Sequence, residues 1–261
     1  MQKGKEYHIA LGKGDVGRYV LLPGDPGRTE KIASYFDEAK EIAFNREYRT
    51  FTGSITGYDG KKIKISTTST GIGCPSTAIC VEELIKIGAD TFIRVGTAGS
   101  LQRSVDIGHV VVSTAAIREE GTSRQYIPLS YPAVANLEVT NALVEAAKKL
   151  KIKAHAGIVH CKDAFYIESA PGDPELPLQE YNEMLWKAWE RGNTLATSME
   201  SAALFVVSSI KKVYAGEILA IIGATWANAP IVKKVGIDEA IKVAIEAVKI
   251  IDANRKKNNN K

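Results

Sequence analysis

The sequence predicts a layered α/β domain, on the basis of its length, its composition and the alternation of two kinds of segment. A chain of 261 residues is within the range of one large α/β domain. Hydrophobic residues make up 45% and charged residues 25%, ordinary globular proportions that exclude disordered and collagen-like chains. Strand-like runs alternate with segments of helical period, and no internal repeat occurs. We therefore expect one domain rather than two joined by a linker.

The predicted strands are short runs rich in β-branched residues. The turn signal Tyr58-Asp59-Gly60 predicts a hairpin turn over residues 57–60, directly before one of these strands. The strands are expected at residues 19–22, 62–67, 91–95, 109–114, 155–160 and 217–222.

The predicted helices carry apolar residues at helical spacing. Glu82 precedes Lys86 by four residues, which favours an ion pair on one helix face. Asp238 and Glu239 lie in the first turn of the last helix, where the helix dipole favours acidic groups. A helical pattern follows Arg28, and further helices are expected at residues 75–88, 137–150, 181–189, 200–211 and 236–252.

One long irregular segment interrupts this pattern. Residues 169–177 are rich in proline and glycine, and such a loop beside a pocket can act as a lid.

Charge and hydropathy argue against nucleic-acid and membrane partners. The net charge of +4 is mild, and part of the excess lies in residues 255–261, so no clustered basic face is expected. The longest weakly polar stretch, residues 218–232, is shorter than the roughly 20 apolar residues of a membrane span. We expect residues 1–254 to form the domain and residues 255–261 a flexible C-terminal tail.

The cysteines and the N-terminal residues are typical of a cytoplasmic protein. Cys74, Cys80 and Cys161 have no CxxC spacing and are odd in number, so buried reduced thiols are expected rather than a disulfide or a zinc site. The first residues carry charge and lack the apolar run of a signal peptide.

The first candidate for anion binding follows the first strand. In Pro23-Gly24-Asp25-Pro26-Gly27-Arg28, a glycine-containing turn leads into a helix, whose N-terminal N–H groups and positive dipole end attract an anion. Arg28 adds a guanidinium that can bind phosphate through two nitrogens. The segment matches neither the Walker A nor the GxGxxG pattern, and taken alone it is equally compatible with a structural turn.

A second arginine ends an apolar strand. Arg94 is costly to bury without a partner, and Thr97 and the glycines beyond it offer hydroxyl and N–H groups. Ligands of open α/β sheets collect beyond the C-terminal ends of the strands. The alternative is a salt-bridged arginine with a structural role. The strand-to-helix loop of residues 69–76 can close over the same crevice.

Glu200 stands at the start of an otherwise apolar helix. A carboxylate is a natural acceptor for two neighbouring sugar hydroxyls. An acidic residue in a first helical turn is also common without any function, because it interacts favourably with the helix dipole.

In combination, these motifs resemble those of the nucleoside phosphorylase family of the hexameric kind. The similarity runs from about Tyr7 to about Ile251, and the segment of residues 118–135 is most similar to the uridine-specific branch. The matching motifs are Pro23-Gly24-Asp25-Pro26 with Arg28, Arg46-Glu47, Ser69-Thr70-Gly71-Ile72-Gly73 with Pro75-Ser76, Arg94 with Gly96-Thr97 and Gly99, Asp163 with Phe165-Tyr166, and Met199-Glu200-Ser201-Ala202.

The resemblance implies a fold, an activity and an assembly. The fold is a single three-layer α/β/α domain with a central mixed sheet. The activity is the reversible phosphorolysis of uridine to uracil and ribose 1-phosphate, with inorganic phosphate as co-substrate and no cofactor. The assembly is a homo-hexamer, a trimer of dimers, with a potassium ion at Glu47, Ile72 and Ser76 in some relatives.

The resemblance also assigns roles to single residues, of which Arg94 and Glu200 are the catalytic pair. Phosphate would be bound by Gly24, Arg28, Arg94 and Thr97, with Arg46 from a neighbouring subunit. Ribose would be bound by Met199 and Glu200, with His8 from a neighbouring subunit. The base pocket would consist of Tyr7, Ala98, Gly99, Phe165, Glu168, Thr225 and Trp226.

The chain departs from its relatives in the residues that read the base. The usual Gln-x-Arg after Phe-Tyr is replaced by Ile167-Glu168-Ser169-Ala170, Trp226 stands near the position of a base-reading arginine, and the aspartate that purine-specific relatives place close to Thr225 is absent. Glu168 or Gln179 can substitute in reading the base. In addition, Ser198 stands where relatives have a glutamate before Met-Glu.

Three alternatives therefore stay open at this level. A purine nucleoside or methylthioadenosine phosphorylase would share the fold and the phosphate site. A nucleosidase that uses water would not need the arginines. A non-catalytic nucleoside-binding protein would keep the pocket without turnover.

Overall fold

The computed structural model describes residues 4–167, 175–224 and 235–259. Within these ranges the chain forms ten strands and seven helices. The strands are β1 (Tyr19–Leu22), β2 (Asp37–Asn45), β3 (Tyr48–Thr56), β4 (Lys62–Thr68), β5 (Thr91–Ser100), β6 (Val110–Glu119), β7 (Ala133–Val134), β8 (Ala154–Lys162), β9 (Ala196–Ser198) and β10 (Tyr214–Ala224). The helices are α1 (Pro26–Ala33), α2 (Cys74–Lys86), α3 (Ser123–Tyr126), α4 (Leu137–Lys149), α5 (Gln179–Arg191), α6 (Ser201–Ile210) and α7 (Ile237–Asn259).

The strands form one mixed sheet in the order β10-β6-β8-β9-β5-β1-β4-β3-β2. β10 also pairs with β5 in parallel, so that β5, β10, β6, β8 and β9 close on themselves. Antiparallel pairing occurs between β2 and β3, β3 and β4, and β10 and β6. The predicted hairpin turn joins β3 to β4, and Gly57 N–H donates to the carbonyl of Lys61 at 2.9 Å.

Helices cover both faces of the sheet, which confirms the predicted three-layer α/β/α fold. Successive side chains of a strand point to opposite faces. In β1, Val20 and Leu22 pack into the core with α2 and α6, whereas Tyr19 and Leu21 pack into the core with α4 and α7. Both sets are at most 1% exposed, as expected for a strand buried on its two faces.

All the predicted strands and helices are present, with changed ends. β5 runs five residues beyond the predicted strand, to Ser100, and β6 runs to Glu119. The sequence did not predict β2, β3, β7, β9 or the short helix α3. α7 continues to Asn259, into the segment expected to be a tail, and there Arg255 Nε lies 2.9 Å from Glu138 Oε1.

The state of the three cysteines agrees with the sequence-based expectation. Cys74, Cys80 and Cys161 are all buried and free of disulfides. No helix in the described ranges is long and apolar enough to cross a membrane. Of the predicted lid, residues 169–174 lie outside the described residues, so lid behaviour stays a prediction.

Candidate active site

A cavity of about 1220 Å³ lies where several strands end and the following loops begin. Twelve of the residues predicted for the site line it together. They are Gly24, Arg28, Glu47, Ile72, Ser76, Arg94, Thr97, Ala98, Gly99, Phe165, Met199 and Glu200. The fold thus gathers residues that are far apart in sequence at one edge of the sheet, as expected for open α/β sheets.

Arg94 is the charged centre of this cavity. It lies in β5 and is only 5% exposed, and its Nε lies 3.0 Å from Glu217 Oε1. Its Nη2 forms an ion pair with Glu200 Oε2. Arg94 is therefore salt-bridged and also lines the cavity, so a structural role and ligand binding are compatible. Among the described residues, its Nη1 has no hydrogen-bond partner, which leaves a donor for a ligand.

Glu200 is held by backbone groups as well as by Arg94. It directly precedes α6 and is 3% exposed. Its Oε1 accepts a hydrogen bond of 2.9 Å from the N–H of Gly73, and its Oε2 accepts one of 3.2 Å from the N–H of Met199. The carboxylate is thus fixed in place and is more than a residue that interacts with a helix dipole.

Arg28 brings a second positive charge to the cavity. Asp25 caps α1 by accepting from Gly27 N–H at 2.8 Å, and Arg28 follows in the first turn. Arg28 Nη1 donates to the carbonyl of Val95 at 3.3 Å. Burial and, after it, the charge of Arg94 lower the pKa of Arg28. A bound anion would stabilise both of these neighbouring positive charges.

The loop before α2 approaches Glu47 closely. Gly71 has φ +70°, and a Cβ there would lie 2.7 Å from Cγ of Glu47, so glycine is required. Ser76 Oγ lies 3.2 Å from Glu47 Oε1. These oxygen atoms belong to the predicted potassium ligands Glu47 and Ser76, and hard cations prefer oxygen donors.

Aromatic residues line another part of the cavity, here called its aromatic end. Phe165 and Tyr166 follow β8 and meet edge to face, with 5.3 Å between ring centroids. Lys162, the last residue of β8, also lines the cavity and was not predicted. Its Nζ lies 5.9 Å from the Phe165 ring centroid and 5.6 Å from that of Trp186. Burial lowers its pKa to about 7. The sequence signal that could have indicated this residue is a lysine two positions after the predicted strand of residues 155–160.

Comparison of the sequence with known proteins places the chain in a family. Residues 18–253 match the sequence profile of the Phosphorylase superfamily. The chain belongs to this superfamily. A protein named uridine phosphorylase from Thermococcus kodakarensis is 48% identical over 252 residues, which cover 96% of this chain and 88% of the relative. One from Treponema pallidum is 46% identical over 249 residues, covering 94% of each chain. A protein named guanosine phosphorylase from Halorubrum lacusprofundi is 38% identical over 254 residues, covering 94% of this chain and 98% of the relative.

Three of the predicted site residues are described by the structure but do not line the cavity of their own chain. Tyr7, His8 and Arg46 lie close together, and the Arg46 guanidinium lies over the Tyr7 ring at 5.7 Å from its centroid. His8 Nδ1 lies 2.7 Å from Glu83 Oε1. Asn45 Nδ2 donates to the carbonyl of His8 at 2.7 Å.

The other residues predicted to contact the base are not among the described residues that line the cavity. Glu168, Thr225 and Trp226 lie outside the described residues. Gln179 begins α5 and is 7% exposed, but it does not line the cavity, and its Nε2 donates to Glu183 Oε1 at 3.0 Å.

Proposed function

We propose that the chain is a uridine phosphorylase, a pentosyltransferase that cleaves the N-glycosidic bond of uridine with inorganic phosphate. The products are uracil and ribose 1-phosphate. The observation that carries the proposal is a single cavity in which Arg28, Arg94 and Glu200 meet. Support comes from relatives named uridine phosphorylase that are 46% and 48% identical over nearly the whole chain.

Phosphate binds where Arg28 and Arg94 line the cavity, here called its arginine end. Arg28 and Arg94 supply charge-assisted hydrogen bonds, while Thr97 and the backbone at Gly24 supply neutral donors. Held there, phosphate is positioned for attack on the sugar, which removes much of the entropic cost of bringing two reactants together. As the glycosidic bond breaks, the sugar becomes cation-like, and the phosphate charge stabilises that transition state.

Ribose binds between the phosphate and the base. The N–H groups of Gly73 and Met199 and the Nη2 of Arg94 occupy three of the roughly four lone-pair sites of the Glu200 carboxylate, which leaves one on Oε1 for a ribose hydroxyl. Met199 packs against the sugar. Because Glu200 is already fixed by Arg94 and the backbone, little reorganisation is needed when the substrate binds.

The base binds against Ala98, Gly99 and Phe165. The proposed base pocket also includes Glu168, Thr225 and Trp226. The leaving base carries negative charge, so donors aimed at its carbonyl oxygens lower the barrier. Lys162 Nζ lies at this end of the cavity and is a donor of the right kind.

Tyr7, His8 and Arg46 complete the site of a neighbouring subunit in a homo-hexamer built as a trimer of dimers. Their position outside the cavity of their own chain supports this proposal. An imidazole whose Nδ1–H donates to Glu83 presents Nε2 to a ligand, here the ribose 5′-hydroxyl. The mass of the particle in solution tests the assembly: light scattering should give six chains.

A potassium ion at the dimer interface belongs to the same proposal. The Glu47 carboxylate, the Ser76 hydroxyl and the backbone carbonyl of Ile72 are oxygen donors at one side of the cavity, and the first two are 3.2 Å apart. Bound there, the ion would neutralise Glu47.

A second candidate activity is the phosphorolysis of a purine nucleoside. The relative named guanosine phosphorylase, 38% identical over most of both chains, favours it. The absence of the usual Gln-x-Arg at residues 167–170 is compatible with either base.

One assay separates these activities. The purified enzyme is incubated with uridine, thymidine, guanosine, inosine, adenosine and methylthioadenosine, each with and without phosphate, and the released base is quantified. Phosphate-dependent release of uracil is expected. Preference for a purine would replace the proposed substrate, release without phosphate would indicate a nucleosidase, and binding without release would indicate a non-catalytic protein.

A further inference from the structure

Glu217 lies directly beside the cavity but does not line it. It is a residue of β10 and is fully buried. In the parallel pairing of β10 with β5, Glu217 is the register partner of Arg94. Side chains at paired positions of neighbouring strands point to the same face of a sheet. The register therefore brings the carboxylate to Arg94, whose Nε lies 3.0 Å from Glu217 Oε1.

Three serine hydroxyls from three further elements surround this carboxylate. Ser113 of β6 donates to Oε2 at 2.5 Å, and Oγ of Ser201, the first residue of α6, lies 2.7 Å from both carboxylate oxygens. Ser198 Oγ, in β9, lies 3.4 Å from Oε1. A buried carboxylate is stable when its oxygens are satisfied in this way and a cation is adjacent.

The arrangement fixes the orientation of Arg94. A guanidinium is planar, so holding two of its nitrogens determines where the third one points. Glu217 holds Nε and Glu200 holds Nη2. The remaining nitrogen, Nη1, takes part in neither ion pair, and a Cβ built on Gly24 would lie 3.8 Å from it. In the described ranges neither Nη1 nor Nε forms a hydrogen bond, so Glu217 holds Nε through its charge.

We propose that Glu217 is a positioning residue for phosphate: it orients the Arg94 guanidinium so that Nη1 faces the anion near Gly24. This inference rests on the proposed function, because it assigns phosphate to that end of the cavity. Glu217 itself touches neither substrate. Ser198 lies next to Glu217, so a carboxylate at position 198 can reach the Arg94 guanidinium as well.

The test measures phosphate binding by calorimetry, in the absence of nucleoside, with wild type and Glu217→Gln. Glutamine keeps the shape of the side chain and an oxygen that accepts from the serine hydroxyls, but it removes the charge that holds Arg94. We expect the Kd for phosphate to rise about tenfold, since a charge-assisted contact is weakened. The KM for uridine should change less than about twofold, because Glu217 does not touch the nucleoside.

Two further variants separate positioning from a general effect on stability. Glu246→Gln alters another well-buried carboxylate, on α7, that binds Tyr58 and Lys149, and it should leave phosphate binding unchanged. Adding Ser198→Glu to the Glu217→Gln variant returns a carboxylate to the same place and should recover part of the lost phosphate affinity.

The outcomes distinguish this inference from the proposed function. Wild-type phosphate affinity in the Glu217→Gln variant would overturn the inference while leaving uridine phosphorolysis intact. Equal losses for phosphate and uridine, in proportion to a lower Tm, would also overturn it. Phosphate binding that depends on Glu217, in an enzyme that releases no uracil, would support the inference and contradict the proposed activity instead.

Discussion

The two ends of the cavity are built in different ways. At the arginine end, Arg94, Glu200 and Glu217 are at most 5% exposed and are held by ion pairs and hydrogen bonds between separate elements. At the aromatic end, Phe165 is 54% and Tyr166 is 85% exposed, and both follow β8 in a turn.

This difference indicates which part of the chemistry is tied to the fold. A buried charge must keep its partners, so residues at the arginine end cannot change singly without loss of stability. Exposed side chains after a strand can change with little effect on the core. We infer that phosphate and ribose binding is tied to the sheet, while the preferred base can vary. Relatives named for uridine and for guanosine both match nearly the whole chain.

The largest expected effect follows from removing the shared cation. Arg94→Ala leaves Glu200 and Glu217 buried without their counter-ion, which should cost about 3–5 kcal/mol in the free energy of unfolding and abolish activity. Arg18→Ala is the matched control, because Arg18 pairs with Asp90 at the surface and its side chain is 50% exposed. The control should lose less than about 1 kcal/mol. Urea unfolding at one protein concentration measures both, and similar losses would show that burial does not distinguish the two pairs.

The next prediction tests the proposed contact between Glu200 and ribose. Glu200→Gln keeps the shape of the side chain but weakens its acceptance of sugar hydroxyls, so kcat/KM for uridine should fall about 100-fold or more. The loss should be smaller for deoxyuridine, which lacks the 2′-hydroxyl. Glu82→Gln, at the surface pair with Lys211, serves as the control and should leave both values unchanged. An equal loss for the two nucleosides would argue against a contact between Glu200 and the 2′-hydroxyl.

The aromatic end should act on the nucleoside alone. Phe165→Ala removes a ring that lines the cavity and should raise the KM for uridine about tenfold, while the KM for phosphate stays within about twofold. Because the ring is half exposed, the Tm should change little. Tyr181→Ala on α5, 52% exposed and outside the cavity lining, is a suitable control. A parallel rise in both KM values would mean that the two ends are not independent.

How far the sequence predicts the fold depends on hydrophobic pattern. Strands such as β1 stand out because they are apolar and buried on both faces. β2 does not, since this edge strand, DEAKEIAFN, is mostly exposed and carries charges. β9 is only three residues long, too short for any periodicity.

The same limit applies to the site. Motif residues such as Arg94 and Glu200 could be placed in one crevice because each adjoins the end of a strand or the start of a helix. Glu217 was predicted only as a strand residue, because its contact with Arg94 depends on the pairing register of β10 with β5. Sequence pattern indicates that a strand exists but not which residue of another strand lies beside it.

The smallest expected effect concerns Lys162 and pH. Its lowered pKa, about 7, means that the folded chain releases this proton near neutral pH. The unfolded chain keeps the proton until roughly pH 10.4. Between these pH values the unfolded state binds more protons, so the free energy of unfolding rises with pH. Lys162→Met removes the buried ammonium, and its Tm should exceed that of wild type by several °C at pH 6. This advantage should shrink steadily toward pH 9.5. Lys86→Met, at a side chain that is 58% exposed and pairs with Glu6, is the surface control for the change from lysine to methionine. A Lys162→Met advantage that is constant or grows with pH would show that burial does not depress this pKa, and the aromatic end would then hold a permanent cation.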